Sequence, residues 1–323
     1  MPALQPTLLV VRVDRGRCTA TDPLDPGGED QLVAVPPRLQ VAVGDRISVD
    51  AEGRVDQVQE RTSALARQDP SGAVQILAAN VDLVLVAHPL DRPLRVRRLE
   101  RELVLAWDGG ATPLLVLTKA DLADDLPAAL AEAASAAPGV DAIAVSVRTG
   151  EGLDDLRARL TGRTTALLGA SGVGKSSLVN ALLGSDVAAT TEVRAVDGKG
   201  RHTTVSRDLY TLPGGGALVD SPGLRGVGLV DAEVGLEAAF ADIEELAAGC
   251  RFADCAHSAE PGCAVQAAVA DQTLSADRFE GWGRLRRDLD RMAAAQDPRA
   301  TAAQRQAVRA LNRAMRAKYA RGD

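Results

Sequence analysis

Lysine is nearly missing from this chain of 323 residues, in which four lysines stand beside 33 arginines. A residue used so sparingly says more where it does occur, and Lys119 and Lys175 both fall inside motifs described below. Long apolar runs are missing as well. Runs such as 84–87 are strand-sized, which excludes a bilayer-spanning helix. No N-terminal stretch joins a basic start to an apolar core and a cleavage site, so a cytoplasmic chain without a membrane partner is expected. Excess positive charge is lacking too: a formal net charge of −7 excludes a uniformly basic nucleic-acid coat. A local basic face remains open, because residues 281–323 hold eleven Arg and Lys against four Asp and Glu. Cysteine is scarce, and three of the four (Cys250, Cys255 and Cys263, but not Cys18) lie within fourteen residues. That clustering favours a metal site over a disulfide framework.

With 46% hydrophobic residues the chain is globular, and its length suffices for two or three domains. Three are expected, over 1–68, 69–235 and 236–323. In the first, short strands at 8–13, 31–35, 39–41 and 46–49 are separated by turns rich in Gly, Pro and Asp. Val43-Gly44-Asp45 reads as the turn feeding the last of them. A small β-barrel fits this pattern. From about residue 75, buried strands alternate with helices. Strands are expected at 81–87, 113–117, 142–146, 165–168 and 216–219, and helices at 96–107, 126–137, 153–160 and 176–183. This is the alternation of a mostly parallel sheet covered on both faces, an α/β fold. Beyond residue 236 the strands stop, and helices are expected at 236–248, 278–292 and 300–319.

The strand ending at Leu168 runs into Gly169-Ala170-Ser171-Gly172-Val173-Gly174-Lys175-Ser176, followed by Ser177. A strand entering and a helix leaving this spacing make a phosphate-binding loop. Its glycines let backbone N–H groups converge on phosphate oxygens, Lys175 reaches the β- and γ-phosphates, and the Ser176 hydroxyl ligates Mg²⁺. Downstream, Asp220-Ser221-Pro222-Gly223 closes another strand. Asp220 is placed to hold a Mg²⁺-bound water and the Gly223 N–H to sense a γ-phosphate. The polar stretch from Gly198 to Thr204 lies between them and suits a mobile switch, with Thr203 and Thr204 both candidates for closing over Mg²⁺. Leu224 follows Gly223 where a glutamine would orient the attacking water, so another group must do so. His202 is the nearest candidate in sequence.

About fifty residues before the phosphate loop stands Thr118-Lys119-Ala120-Asp121. Asp121 can accept from N1–H and the exocyclic amine of guanine, a donor edge adenine lacks, while Lys119 lays its alkyl stem along the base. Thr118 replaces the more usual asparagine, so a hydroxyl must supply the bracing bond. Ser146, after a further strand, is placed to offer a backbone N–H to guanine O6. A base-reading motif ahead of the phosphate motifs implies a circularly permuted GTPase. Near the C-terminus, Cys250, Cys255, His257 and Cys263 offer three thiolates and one imidazole, a closed set suited to one structural, tetrahedral Zn²⁺.

In combination these stretches closely resemble the ribosome small-subunit-dependent GTPase A family, the circularly permuted bacterial GTPases. The matching segments include 74–82, 117–122, 169–177, 200–204, 220–224, 240–243 and 250–265. The resemblance implies an N-terminal oligonucleotide-binding (OB-like) barrel, a central permuted P-loop GTPase domain and a C-terminal, mostly helical zinc-binding domain. It also implies GTP hydrolysis in late maturation of the small ribosomal subunit, stimulated by that particle and its rRNA, by a protein expected to be a monomer. His202 matches the histidine assigned to hydrolysis in the family. Two rival readings differ in class: a GTPase serving another partner, and a GTP-gated RNA-binding module with little turnover.

Overall fold

A computed structural model of the chain describes residues 7–23, 29–68, 74–184, 207–220 and 232–296. The expectations for His202, Thr203, Thr204, Gly223 and the helix at 300–319 lie outside these residues.

Five short strands form the N-terminal barrel: β1 (Leu8–Asp14), β2 (Arg17–Thr21), β3 (Gln31–Ala34), β4 (Arg46–Val49) and β5 (Val55–Val58). β1 pairs antiparallel with β2 and β4, β2 with β3, and β4 with β5. A parallel bridge from Ala34 to Arg54 joins β3 to the approach of β5 and closes the ring. Alternate side chains point inward, so Leu8, Val10, Cys18, Ala20, Val33, Ile47 and Val55 make one core. Burial first, and then the charge of Asp45, push the Cys18 thiol up to about 11, so Cys18 is an inert core residue.

The strand expected at 39–41 does not form. That stretch is a loop leading to Gly44, whose φ is +88° and where a Cβ would stand 2.1 Å from the Ala79 carbonyl oxygen. Only glycine tolerates both conditions. The close approach lets Val43 bridge Ala78 on β7 (Val74–Ala79), which pairs with β6 (Ala64–Gln68) as a separate hairpin. The boundary expected after residue 68 therefore falls between two paired strands. Beside it the fully buried Asp45 accepts from Ala42 N–H at 2.7 Å and from Arg61 Nε at 2.7 Å, which offsets the cost of burying its charge.

The nucleotide-domain sheet runs β10 (Ala142–Val145), β9 (Thr112–Thr118), β8 (Leu83–Pro89), β11 (Thr164–Gly169), β13 (Ala217–Asp220), all parallel. Its alternate residues split into two cores. Val84, Val86, Leu115, Leu117, Ala166 and Leu168 face α1 (Val96–Asp108) and α2 (Leu126–Ala136). Leu83, Leu85, Leu114, Val116 and Leu167 face α3 (Leu153–Leu160) and α4 (Lys175–Leu183). β12 (Arg207–Thr211) runs antiparallel to β13 and pairs on its other side with β1, where Arg12 meets Asp208 as an ion pair. Barrel and nucleotide domain thus share one continuous sheet.

The C-terminal region packs α5 (Glu233–Ala239), α6 (Ala241–Ala247), α7 (Ala264–Ala270) and α8 (Ala276–Gln296). The single helix expected at 236–248 is two helices, because Phe240 leaves helical geometry (φ −124°, ψ 37°) to bury its ring completely. The Arg278 guanidinium lies 4.1 Å from that ring and donates to Asp242 Oδ1 and the Ala239 carbonyl, both at 2.7 Å. Arg278 and Arg284 also approach Glu100 of α1 to 4.0 Å, although burial still raises the Glu100 pKa. Arg278 thus ties α8 to α5 and α6 through its short bonds, while its approach to α1 of the nucleotide domain is the longer one.

Candidate nucleotide site and metal cluster

Parallel strands deliver all their carboxyl ends to one edge of the sheet, where open α/β sheets bind ligands. At that edge the motif strand β9 and the loop strand β11 are separated only by β8. The sequence order of the two motifs is thereby irrelevant to their spatial meeting.

The phosphate loop leaves β11 at Gly169, whose φ is +144° and where a Cβ would stand 2.7 Å from the Ala87 carbonyl oxygen. Val173 is buried and anchors the loop in the core shared with α3 and α4, while Ser171 and Gly172 are exposed. Gly174, in left-handed geometry, caps α4, and Lys175 and Ser176 open the helix with Ser177 behind them. First-turn N–H groups and the helix dipole therefore face the loop, an arrangement that favours anions. Lys175 Nζ donates to the carbonyls of Gly169, at 2.8 Å, and Ala170, so its ammonium is held at the centre of the loop. Of Asp220 the structure describes the backbone, which ends β13 opposite Asp208.

Thr118 supplies the bracing bond required of it. Its Oγ1 donates to the Val173 carbonyl at 2.5 Å and ties the base motif to the phosphate loop. Lys119, with a φ of +60°, reaches back to the Gly172 carbonyl at 3.3 Å and forms an ion pair with Asp91 Oδ2 at 2.5 Å. Hydrogen bonds from Arg92 and then Lys119 bring the Asp91 pKa down to about 2. Ala120 is buried and begins the 3-10 turn that presents Asp121. Asp121 accepts from the Ser146 hydroxyl through Oδ1 and from Arg148 Nε at 2.7 Å through Oδ2. Those two bonds, Ser146's first, hold its pKa below the ordinary carboxylate range.

The role expected for the Ser146 N–H needs correcting. That group donates to the Glu151 carbonyl at 2.9 Å, so it is not free for a base oxygen, and Ser146 acts instead through its hydroxyl on Asp121. The next residue along, Val147, is exposed.

Thr118→Val keeps the shape of the side chain and removes the hydroxyl, leaving the Val173 carbonyl without this partner. A lost buried bond of this kind costs about 1–2 kcal/mol, roughly a tenfold loss in GDP affinity, and Thr118→Asn is expected to restore most of it. Nucleotide titration of both variants checks this; undiminished binding in Thr118→Val would show that the loop does not depend on the bridge.

The second cluster joins Cys250, Cys255, His257 and Cys263, whose ligand atoms all lie within 4.8 Å of one another. Cys250 Sγ to Cys263 Sγ is 3.9 Å, and His257 Nδ1 lies 3.6 Å and 3.5 Å from those sulfurs. A tetrahedral ion with ordinary zinc–sulfur and zinc–nitrogen bonds requires edges of about 3.8 Å and about 3.6 Å. The donor set and its spacing therefore fit such an ion. His257 takes a left-handed backbone (φ +55°), and Gln266 Nε2 holds its carbonyl at 2.6 Å. The N–H groups of Ala264 and Gln266 donate to the sulfurs of Cys250 and Cys263, the outer support that thiolate ligands need. Glu260 orders the loop from within by accepting the N–H groups of Ala256, Ser258 and Ala259.

Comparison with known proteins follows this geometry. The family model for RsgA GTPase matches residues 58–230, more than half of the chain. The chain belongs to the RsgA GTPase family. It is 50% identical over 303 residues to the small ribosomal subunit biogenesis GTPase RsgA of Streptomyces avermitilis, covering 90% of this chain and 81% of that one. The Streptomyces coelicolor protein of the same name is 48% identical over 304 residues, covering 91% and 83%. Among solved structures, YjeQ from Thermotoga maritima matches with a TM-score of 0.67 at 26% identity, covering 88% of this chain and 99% of that one. YloQ, described as a circularly permuted GTPase, matches in fold with a TM-score of 0.64 at 21% identity, covering 90% and 96%.

For an RsgA GTPase the residues that sequence reasoning missed are those that hold the known motifs. Asp91 and Arg148 pair with Lys119 and Asp121 from 28 and 27 positions away. His88 is buried against Glu102 at 3.0 Å, and its carbonyl lies 3.5 Å from the Thr118 hydroxyl. No motif spacing announces these partners. The available signal is position, since Asp91 follows β8 and Arg148 follows β10 at the same edge of the sheet.

Proposed function

We propose that this GTPase binds GTP with Lys119 and Asp121 reading guanine, the loop from Gly169 to Ser177 holding the phosphates, and Lys175 countering their charge. The observation that carries this reading is the join between base motif and phosphate loop, through Thr118 to Val173 and Lys119 to Gly172. Ser176 is the proposed magnesium ligand and Asp220 is proposed to hold a magnesium-bound water, the ion supplying charge neutralisation on the phosphates. His202 is proposed to orient the attacking water, with Thr203 or Thr204 and the Gly223 N–H sensing the γ-phosphate. Zinc is the proposed occupant of the Cys250, Cys255, His257 and Cys263 cluster. The domain division is proposed as a barrel over 1–68, a permuted GTPase domain over 69–235 and a zinc-binding helical domain over 236–323.

The proposed partner is the small ribosomal subunit and its rRNA, in the cytoplasm, with the chain a monomer. The names of the Streptomyces relatives support it. No helix among the described residues is long and apolar enough to cross a membrane. Hydrolysis of GTP and ATP, with and without purified small subunits, tests the reading, using Lys175→Ala as the blank. GTP-selective turnover that rises at least tenfold with small subunits is expected. Turnover indifferent to the particle, mature or immature, would send the enzyme to another partner. Negligible turnover even with particles would make it a GTP-gated binding module.

A further inference from the structure

Asp121 receives two claims on one carboxylate. As the base reader it must present its oxygens to the paired donors of guanine, yet Arg148 Nε already donates to Oδ2 at 2.7 Å while Ser146 holds Oδ1. The Asp121 side chain is 9% exposed and the Arg148 side chain 72%, so the guanidinium is the outer group, on the solvent side of the carboxylate. A guanidinium resembles the Watson–Crick edge of guanine in the respect that matters here, presenting N–H donors in one plane to a carboxylate. We infer that Arg148 is a positioning residue for base recognition, an internal stand-in for the guanine donor edge that the incoming base must displace.

Two consequences separate this role from simple bracing. While it is in place, Arg148 occupies Oδ2 from the same turn that brings Ser146 to Oδ1, so one acceptor of the base reader is taken. Because it must leave, it slows association and takes no part in holding the bound base. Lys119 is held similarly by Asp91 at 2.5 Å, but that pair lies on the lysine ammonium and leaves the alkyl stem free for the ring. Exchange at Asp121 is therefore the step on which the competition falls. Adenine presents an acceptor where guanine presents N1–H and a C–H where guanine presents its amine, so at these two positions it has no N–H with which to replace the guanidinium.

The inference rests on Asp121 as the base reader, and the test separates the two. Binding of a fluorescent GDP analogue to the full chain is followed by stopped flow at about 0.15 M salt, where a Debye length of about 8 Å limits steering by a single charge. Exposed ion pairs contribute about 0.2–1 kcal/mol, so Arg148→Met is expected to raise the association rate roughly threefold and leave dissociation unchanged. Arg148→Lys, which can still pair, should fall between Arg148→Met and the natural chain. A merely structural role predicts the opposite sign, with weaker binding and faster dissociation in Arg148→Met. An unchanged or slower association rate, or faster release, overturns the proposal. Asp121→Ala in the same assay is expected to abolish binding. If Asp121→Ala binds like the natural chain, the base-reading assignment itself falls; if only the Arg148 variants behave like the natural chain, the assignment survives and the stand-in does not.

Discussion

Asp121→Asn is expected to strip the protein of its affinity for guanine nucleotides while leaving it folded. The carboxylate offers two acceptors to two donors on the base, and each charge-assisted bond contributes about 1.5–3 kcal/mol. An amide offers one acceptor and turns a donor toward another donor, so the loss spans roughly two to four orders of magnitude in GDP affinity. Xanthine carries an oxygen where guanine carries its amine, and that oxygen accepts from the new amide. Xanthosine diphosphate should therefore bind Asp121→Asn more tightly than GDP does. The fold should survive because the partners of Asp121 remain satisfied. Ser146 can still donate to the amide oxygen, and the exposed Arg148 turns to water. Competition titrations with the two diphosphates decide the matter. A GDP affinity within about threefold of the natural chain would remove Asp121 from base recognition, since that is less than one such bond supplies.

The sequence made some parts of this molecule legible because one physical signal dominated locally. The helix Leu153–Leu160 was expected with the boundaries it has, since its three buried leucines stand at helical spacing with acids in the first turn and arginines in the last. The fully buried β8 and the β11 strand read as apolar runs because helices cover both faces of the sheet. The phosphate loop and the Cys/His cluster were legible because their chemistry restricts which residues can serve.

Where tertiary contacts decided, the reading missed. Arg17–Thr21, Val55–Val58 and Arg207–Thr211 are strands with charged or polar residues: the first two are set by pairing with the strands next to them in the chain, and the third pairs with β1 almost two hundred residues away. The strand expected at 39–41 had the right apolar residues, but the carbonyl of Ala79 and the turn at Gly44 determine where that chain goes. At Phe240 an otherwise helical run gives up a turn so that one ring can be buried under Arg278. The partners of the nucleotide motifs escaped for a related reason. An ion pair such as that between Arg148 and Asp121 depends on two loops meeting, and neither loop has a period.

Loss of the metal is expected to be the most damaging change to the C-terminal region. The purified chain should carry one zinc per molecule, and structural zinc contributes apparent binding energies of about 10–16 kcal/mol, comparable with the stability of a whole domain. Residues 250–263 contain no helix or strand and are ordered by turns, the Glu260 bonds, a backbone bond from Arg251 to Gly262, the Gln266 bond to His257 and the ligand contacts themselves. With the ion removed, three thiols and an imidazole pack where a cation belongs, and α7, which is capped by Cys263, loses its anchor. Trp282 reports the change directly because its ring lies 5.6 Å from His257 and stacks on Phe279 at 5.7 Å. Chelation or Cys263→Ser should therefore shift tryptophan emission to the red and abolish stoichiometric zinc. GDP affinity should fall less than tenfold, because β9, β11 and α4 lie in the nucleotide domain and none of their residues ligates the metal. Acidification should release the ion as well, since protons compete for thiolates and imidazole. A chain that keeps its emission and melting profile after chelation would show that apolar packing of α7 and α8, and not the metal, holds this region together.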